Sequence, residues 1–162
     1  MQLNTIFNIP NKNWQKQDQT IIKNSIKTIF ETITLKTIQN CQVEISIVLG
    51  NNDFLQSLNE QYRNINKPTN TLSFPLNEIN LQQQYNQELL PLGDVILAKE
   101  YIQDQAKEQN KTFKNHLTHL TIHSVLHLLG FDHQNDTQAQ EMESLEIKIL
   151  KKLDIDNPYM LR

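Results

Sequence analysis

One cysteine and three glycines are all that this 162-residue chain contains of either. A lone Cys41 excludes an internal disulfide and any zinc site built on paired thiolates. It lies in a stretch where apolar residues alternate and reads as a small buried side chain. With glycine so scarce, Gly50, Gly93 and Gly130 are each expected to answer a backbone need. No segment approaches the roughly 18 consecutive apolar residues of a membrane span. The start, MQLNTIFNIP, lacks the basic flank, apolar core and small-residue cleavage site of a signal peptide, so a cytoplasmic location is expected. Positive charge is also short: 15 Lys and Arg against 18 Asp and Glu leave a formal net charge of −3. That balance excludes a protein that coats nucleic acid by neutralising phosphates everywhere along its surface. It still permits a local basic cleft, with Arg63, Lys67, Lys99, Lys107, Lys111 and Lys114 as candidate cations. Acidic residues gather toward the C-terminus instead, at Asp132, Asp136, Glu141, Glu143 and Glu146.

What is present is apolar periodicity, despite a hydrophobic content of only 38% and an abundance of Asn and Gln. Leu3–Ile9 alternates as a strand stopped by Pro10, and the spacing of Ile22, Ile26, Ile29 and Ile33 predicts a long helix over 18–39. Gln42–Leu49 reads as a second strand, followed by a turn at 50–53 and a helix over 54–63. A loop at 67–70 leads to a short strand at 71–75. The polar stretch 77–91 reads as irregular, and the apolar run Gly93–Ala98 as a central strand. Helices are predicted over 99–109, 113–129 and 137–153. Strands interleaved with helices, then helices in succession, predict one α+β domain over residues 1–162. It would have a small mixed sheet of about four strands packed against about five to six helices.

The chemistry concentrates in His123-Ser124-Val125-Leu126-His127-Leu128-Leu129-Gly130-Phe131-Asp132-His133. His123 and His127, four apart, share one face of a helix. Gly130 can take the left-handed conformation that ends a helix, and the returning chain then carries His133 toward the first two. Three neutral imidazoles around one point, with the fourth position open, describe a catalytic zinc site. His119 offers a rival trio with His123 and His127. Its outer members would lie about 12 Å apart along the axis, too far for zinc–nitrogen bonds of about 2.0–2.1 Å. His116 and His119 are therefore read as ordinary helix residues bordering the same cleft.

A three-nitrogen zinc site favours hydrolysis, yet the metal alone does not choose the bond. The spacing is that of metzincin-type metalloproteases, in which a glutamate general base follows the first histidine. Here that position is Ser124, so a protease would lack its base. Asp132 has two readings: an acceptor that orients a ligand imidazole or assists water, or a helix-end or turn carboxylate.

The motif HSVLHLLGFDH resembles the H-G-x-L-H-L-x-G-[YF]-D-H pattern of the bacterial YbeY family of zinc-dependent endoribonucleases and rRNA maturation factors. Ser124 stands where that family usually has glycine. Leu58-Asn59-Glu60-Gln61-Tyr62-Arg63 and Lys67-Pro68-Thr69-Asn70-Thr71-Leu72-Ser73-Phe74-Pro75 are similar to its LNxxYR…KPT[DN]VLSFP, with Thr71 in place of valine. Leu92-Gly93-Asp94-Val95-Ile96, the acidic last helix and Asn157-Pro158-Tyr159 extend the likeness over nearly the whole chain.

The resemblance implies one zinc ion on His123, His127 and His133 and a functional arginine at Arg63. It implies a single-strand-specific endoribonuclease that acts in ribosome biogenesis, on the 3′ end of 16S rRNA. Precursor rRNA, the small ribosomal subunit and ribosome-assembly proteins would be its partners. A guanidinium at Arg63 also suits the charge that builds on phosphoryl oxygens during phosphodiester cleavage. Two other readings stand beside this one: a ribosome-assembly RNA-binding factor with a structural metal, and a metalloprotease.

Overall fold

A computed structural model describes residues 1–160; residues 161–162 of the expected domain lie outside the described residues. The elements run β1 (Gln2–Asn8), α1 (Lys16–Thr32), β2 (Gln42–Gly50), α2 (Asn52–Arg63), β3 (Thr71–Pro75), β4 (Leu89–Ala98), α3 (Lys99–Glu108), α4 (Phe113–Leu128) and α5 (Asp136–Lys152). A single 3₁₀ turn sits at Lys36–Ile38. One mixed sheet has the order β1-β2-β4-β3, with β1, β2 and β4 parallel and β3 antiparallel to β4. This is the α+β architecture that the sequence patterns predict.

Alternation decides which face of the sheet is covered. Val43, Ile45, Ile47 and Leu49 of β2 are fully buried. They join Ile22, Ile26 and Ile29 of α1, Leu117, Ile122, Val125 and Leu126 of α4, and Met142 and Ile149 of α5 in one core. The opposite face carries a smaller cluster of Leu55, Leu72, Ile96 and Ala98, closed by α2. Helix α4 is buried around most of its circumference, with His116, Thr118, Thr121 and Ser124 enclosed along with its apolar residues. It packs against α1, α3, α5, β3 and β4.

Three sequence expectations are corrected. The first helix stops at Thr32 rather than near residue 39, because Thr32-Ile33-Thr34 is a run of β-branched residues with reduced helix propensity. The last strand begins at Leu89, not Gly93. Pro91 is tolerated there because the β2–β4 register shifts between Glu44 and Ile45, leaving Leu92 as the extra residue of a bulge. Gly93 serves that bulge at φ 138°, where an added Cβ would meet the Phe74 carbonyl oxygen at 2.2 Å.

The third correction concerns Lys99, a candidate cleft cation. It is 7% exposed and donates to Asp18 Oδ2 at 2.8 Å and to the Asn13 carbonyl at 2.6 Å. The Trp14 and Phe113 rings flank it, each centroid 5.6 Å away. Asp18 also accepts from the Gln15 backbone N–H at 2.9 Å, so one carboxylate caps α1 and neutralises a buried ammonium. Lys99→Met is expected to cost about 3–5 kcal/mol, because it strands the Asp18 charge. The Asp18→Asn, Lys99→Met double variant should recover more than half of that. Urea unfolding checks both, and a single-variant loss below about 1 kcal/mol would show that the carboxylate finds water instead.

Candidate metal centre

Helix α4 begins at an N-cap, Thr112, whose hydroxyl accepts from the Asn115 N–H at 3.1 Å. It ends as Gly130 predicts. Gly130 has φ 96°. Its N–H donates to the His127 carbonyl at 3.0 Å, and the Phe131 N–H donates to the Leu126 carbonyl at 3.1 Å. Together these bonds make a Schellman stop. The chain turns back, and His133 arrives beside the helix pair. Ring centroids lie 4.7 Å apart for His123–His127, 5.0 Å for His127–His133 and 5.6 Å for His123–His133. One nitrogen from each ring lies within 4.8 Å of the other two, a group that could hold a metal ion. His123 and His127 are half-buried, and His133 is exposed.

The donor set fits a divalent cation. Nε2 of His123 and Nε2 of His127 face each other at 3.1 Å. Two zinc–nitrogen bonds of about 2.0–2.1 Å at a tetrahedral angle span about 3.3 Å between nitrogens. Beneath them lies Glu146 of α5, fully buried, its Oε1 in contact with His123 Nδ1. The Tyr159 hydroxyl donates to Oε2, and His119 Nε2 stands 3.7 Å from the same oxygen. Burial by itself would push the Glu146 carboxyl up. The nearby His119 ring, the hydrogen bond and charge of His123, and the Tyr159 hydroxyl outweigh it and hold the group down at about 2. A carboxylate at that place requires the proton of His123 on Nδ1, which leaves Nε2 with a free lone pair. His127 is held down to about 4, first by burial and then by the neighbouring His123 and His133, so near neutral pH His127 is uncharged. The Tyr159 phenol is pushed up, by burial and by the Glu146 charge.

The trio opens onto a cleft of about 1350 Å³. Arg63, the last residue of α2, lines the same cleft, as do His119, Ser124 and Asp132. Among the described residues, Arg63 is the only Lys or Arg in that lining, so Lys67, Lys107, Lys111 and Lys114 stand elsewhere. Of Asp132's two readings the geometry favours the turn: its Oδ1 accepts from the backbone N–H of His133 at 2.7 Å. The carboxylate that orients a candidate ligand is Glu146, which in the sequence is only one of several acids toward the C-terminus. Ser124 is fully buried. It hydrogen-bonds Thr71 at 2.9 Å, so the two positions that depart from the family pattern touch each other. His116 lies outside the cleft, with Nε2 donating to Gln105 Oε1 at 2.9 Å.

Fold and site thus define a single-domain α+β protein with a three-imidazole, metal-competent cleft. The solution structure of a Thermotoga maritima protein is similar in fold, with a TM-score of 0.57 at 20% identity over 93% of this chain and 91% of that one. The family model of endoribonuclease YbeY matches residues 8–154. The endoribonuclease YbeY of Bartonella bacilliformis is 43% identical over 133 residues, 82% of either chain. The chain belongs to the endoribonuclease YbeY family.

Two outcomes follow from this geometry. Glu146→Gln removes the charge that holds the His123 proton on Nδ1 and should weaken zinc binding about 10–100-fold in a titration against a chromophoric chelator. An unchanged affinity would free His123 of its dependence on the carboxylate. His116 supplies a pH signature away from the trio. Burial first, then the charges of Lys111 and His119, lower it from its ordinary 6.5 to about 4. The neutral ring therefore contributes stability that is complete above pH 6.5 and is lost as pH falls through 4. His116→Gln should flatten the fall of unfolding free energy across that window relative to the parent. Parallel curves would remove His116 from the account.

Proposed function

We propose that the chain is a zinc-dependent endoribonuclease that cuts single-stranded RNA in the cytoplasm and acts in maturation of the 3′ end of 16S rRNA. Its partners would be precursor rRNA, the small ribosomal subunit and ribosome-assembly proteins. The observation that carries the reading is the convergence of His123, His127 and His133 in a cleft that Arg63 also lines. Membership of a family named for endoribonuclease activity supports the reaction class. Among the described residues no helix is long and apolar enough to cross a membrane.

His123, His127 and His133 would hold the ion. When bound, zinc at a three-nitrogen site supplies a water of pKa about 7 and a Lewis acid for a phosphoryl oxygen. The chain's own groups do the remaining work. Glu146 keeps the His123 proton on Nδ1 and so keeps Nε2 available as a ligand atom. The Arg63 guanidinium, exposed at the cleft edge, meets the phosphoryl oxygens as negative charge builds on them. Exposure of His133 leaves the trio open to solvent and substrate, which suits catalysis better than a closed structural site. A protease reading gains nothing, since buried Ser124 replaces the base and shares its hydrogen bond with Thr71.

Incubation of the zinc-loaded chain with a precursor rRNA fragment tests the proposal. Cleavage should fall by more than about 100-fold in His123→Ala, together with its metal content. In Arg63→Ala it should fall about 100-fold with metal retained. Equal cleavage by His123→Ala and the parent would assign the activity to a contaminant.

A further inference from the structure

Two hydroxyls meet on the cleft wall beside the histidines. Ser124 follows His123 on α4 and is fully buried, while Thr71 opens β3 and is only partly buried; both line the cleft. Ser124 Oγ and Thr71 Oγ1 lie 2.9 Å apart, and distance alone does not say which one donates. Neither hydroxyl has a second partner among the described residues.

Counting hydrogens gives the direction. Two hydroxyls bring two hydrogens, and one bond uses one of them. Were Thr71 the donor, the Ser124 hydrogen would be shut inside the protein with no acceptor, the costly arrangement for a buried polar group. Ser124 therefore donates to Thr71 Oγ1. The Thr71 hydrogen is left over, on a residue that reaches the cleft. Ser73, two positions on and on the same face of β3, fastens strand to helix by donating to the Ser124 carbonyl at 3.3 Å. The unspent donor is thus held on a fixed wall and does not ride on a loop.

A donor with no protein acceptor suits a ligand that presents acceptors. A phosphodiester offers only acceptors, and Arg63 and the histidine trio lie in the same cleft. We propose that the Thr71 hydroxyl donates a hydrogen bond to a phosphodiester oxygen of the bound single-stranded RNA, with Ser124 as the positioning residue that turns it outward. The assignment rests on the endoribonuclease reading and adds a substrate contact to it.

The test uses the full chain as purified and a fluorescein-labelled single-stranded oligoribonucleotide, with affinity read by anisotropy. Thr71→Val, which keeps the shape and removes the hydroxyl, should raise Kd about five- to tenfold. KM for cleavage should rise in step, with kcat changed less. Thr71→Ser should restore affinity, and Thr71→Ala should repeat the loss without relying on the valine chain folding well. Ser124→Ala should weaken binding by a smaller factor, about two- to threefold, because the Thr71 hydroxyl then loses its orientation but not its hydrogen. Equal affinity in the valine, alanine and parent chains would overturn the proposal. A lowered Tm is expected in both variants, because the buried Ser124 hydrogen loses its acceptor. Thr71→Val combined with Ser124→Ala leaves no stranded donor and should still bind about five- to tenfold more weakly; parental affinity in that double variant would make the pair a structural tether. Absence of RNA binding by the parent would overturn the endoribonuclease reading, and this contact with it.

Discussion

A carboxylate shut away from water governs the architecture of the cleft. Glu146 is fully buried, and a buried charge persists only where donors replace its hydration. Those donors come from two places: His123 on α4, and Tyr159 in the segment after α5, with His119 of α4 3.7 Å from the same carboxylate. The same contacts therefore join α4, α5 and the C-terminal segment. They also set the protonation of His123, whose Nδ1 is committed to the carboxylate and whose Nε2 faces His127. One group serves stability and site chemistry together, and neither can be altered without the other.

The second constraint is directional. A helix presents two imidazoles on one face at a spacing of four, but a third on the same face lies too far along the axis. The chain must leave the helix and return within a few residues. Gly130 makes this possible, because at φ 96° its backbone supports both bonds of the helix stop. An added Cβ at that position would stand 3.0 Å from the Ile79 carbonyl oxygen, so a neighbouring segment also leaves little room. Burial of α4 on several sides then turns His123 and His127 into fixed points against which the returning chain is placed.

These two constraints differ in how well the sequence discloses them. The helix spacing and the glycine stop are local, so HSVLHLLGFDH is sufficient to anticipate where His133 goes. Glu146 is not local: it meets His123 across 23 positions, and from sequence alone it looked like one acid among several. A signal was nevertheless present. Met142, Glu146, Ile149 and Leu150 are the buried residues of α5, so the glutamate interrupts an apolar stripe at helical spacing, where an unpaired charge would be costly. Lys99 misled for the matching reason, since its partners Asp18 and Asn13 lie more than 80 positions away. The start of β4 was hidden by Pro91 and Gly93, residues that usually end strands and here accommodate a bulge.

The net charge of −3 looks ill-suited to an RNA substrate, and with the buried Asp18–Lys99 pair and Glu146 set aside it is still −2, so the placement of the charges has to decide. Asp18 is neutralised inside the fold by Lys99, and Glu146 is enclosed by the donors that surround it. Neither presents a bare negative charge to a polyanion. Arg63 stands exposed at the cleft, and a divalent ion on three uncharged imidazoles would bring positive charge to the same place. For an enzyme that holds one phosphodiester at a time, the field at the scissile group matters more than the sum over the surface. A chain that is acidic overall can then cut RNA without coating it.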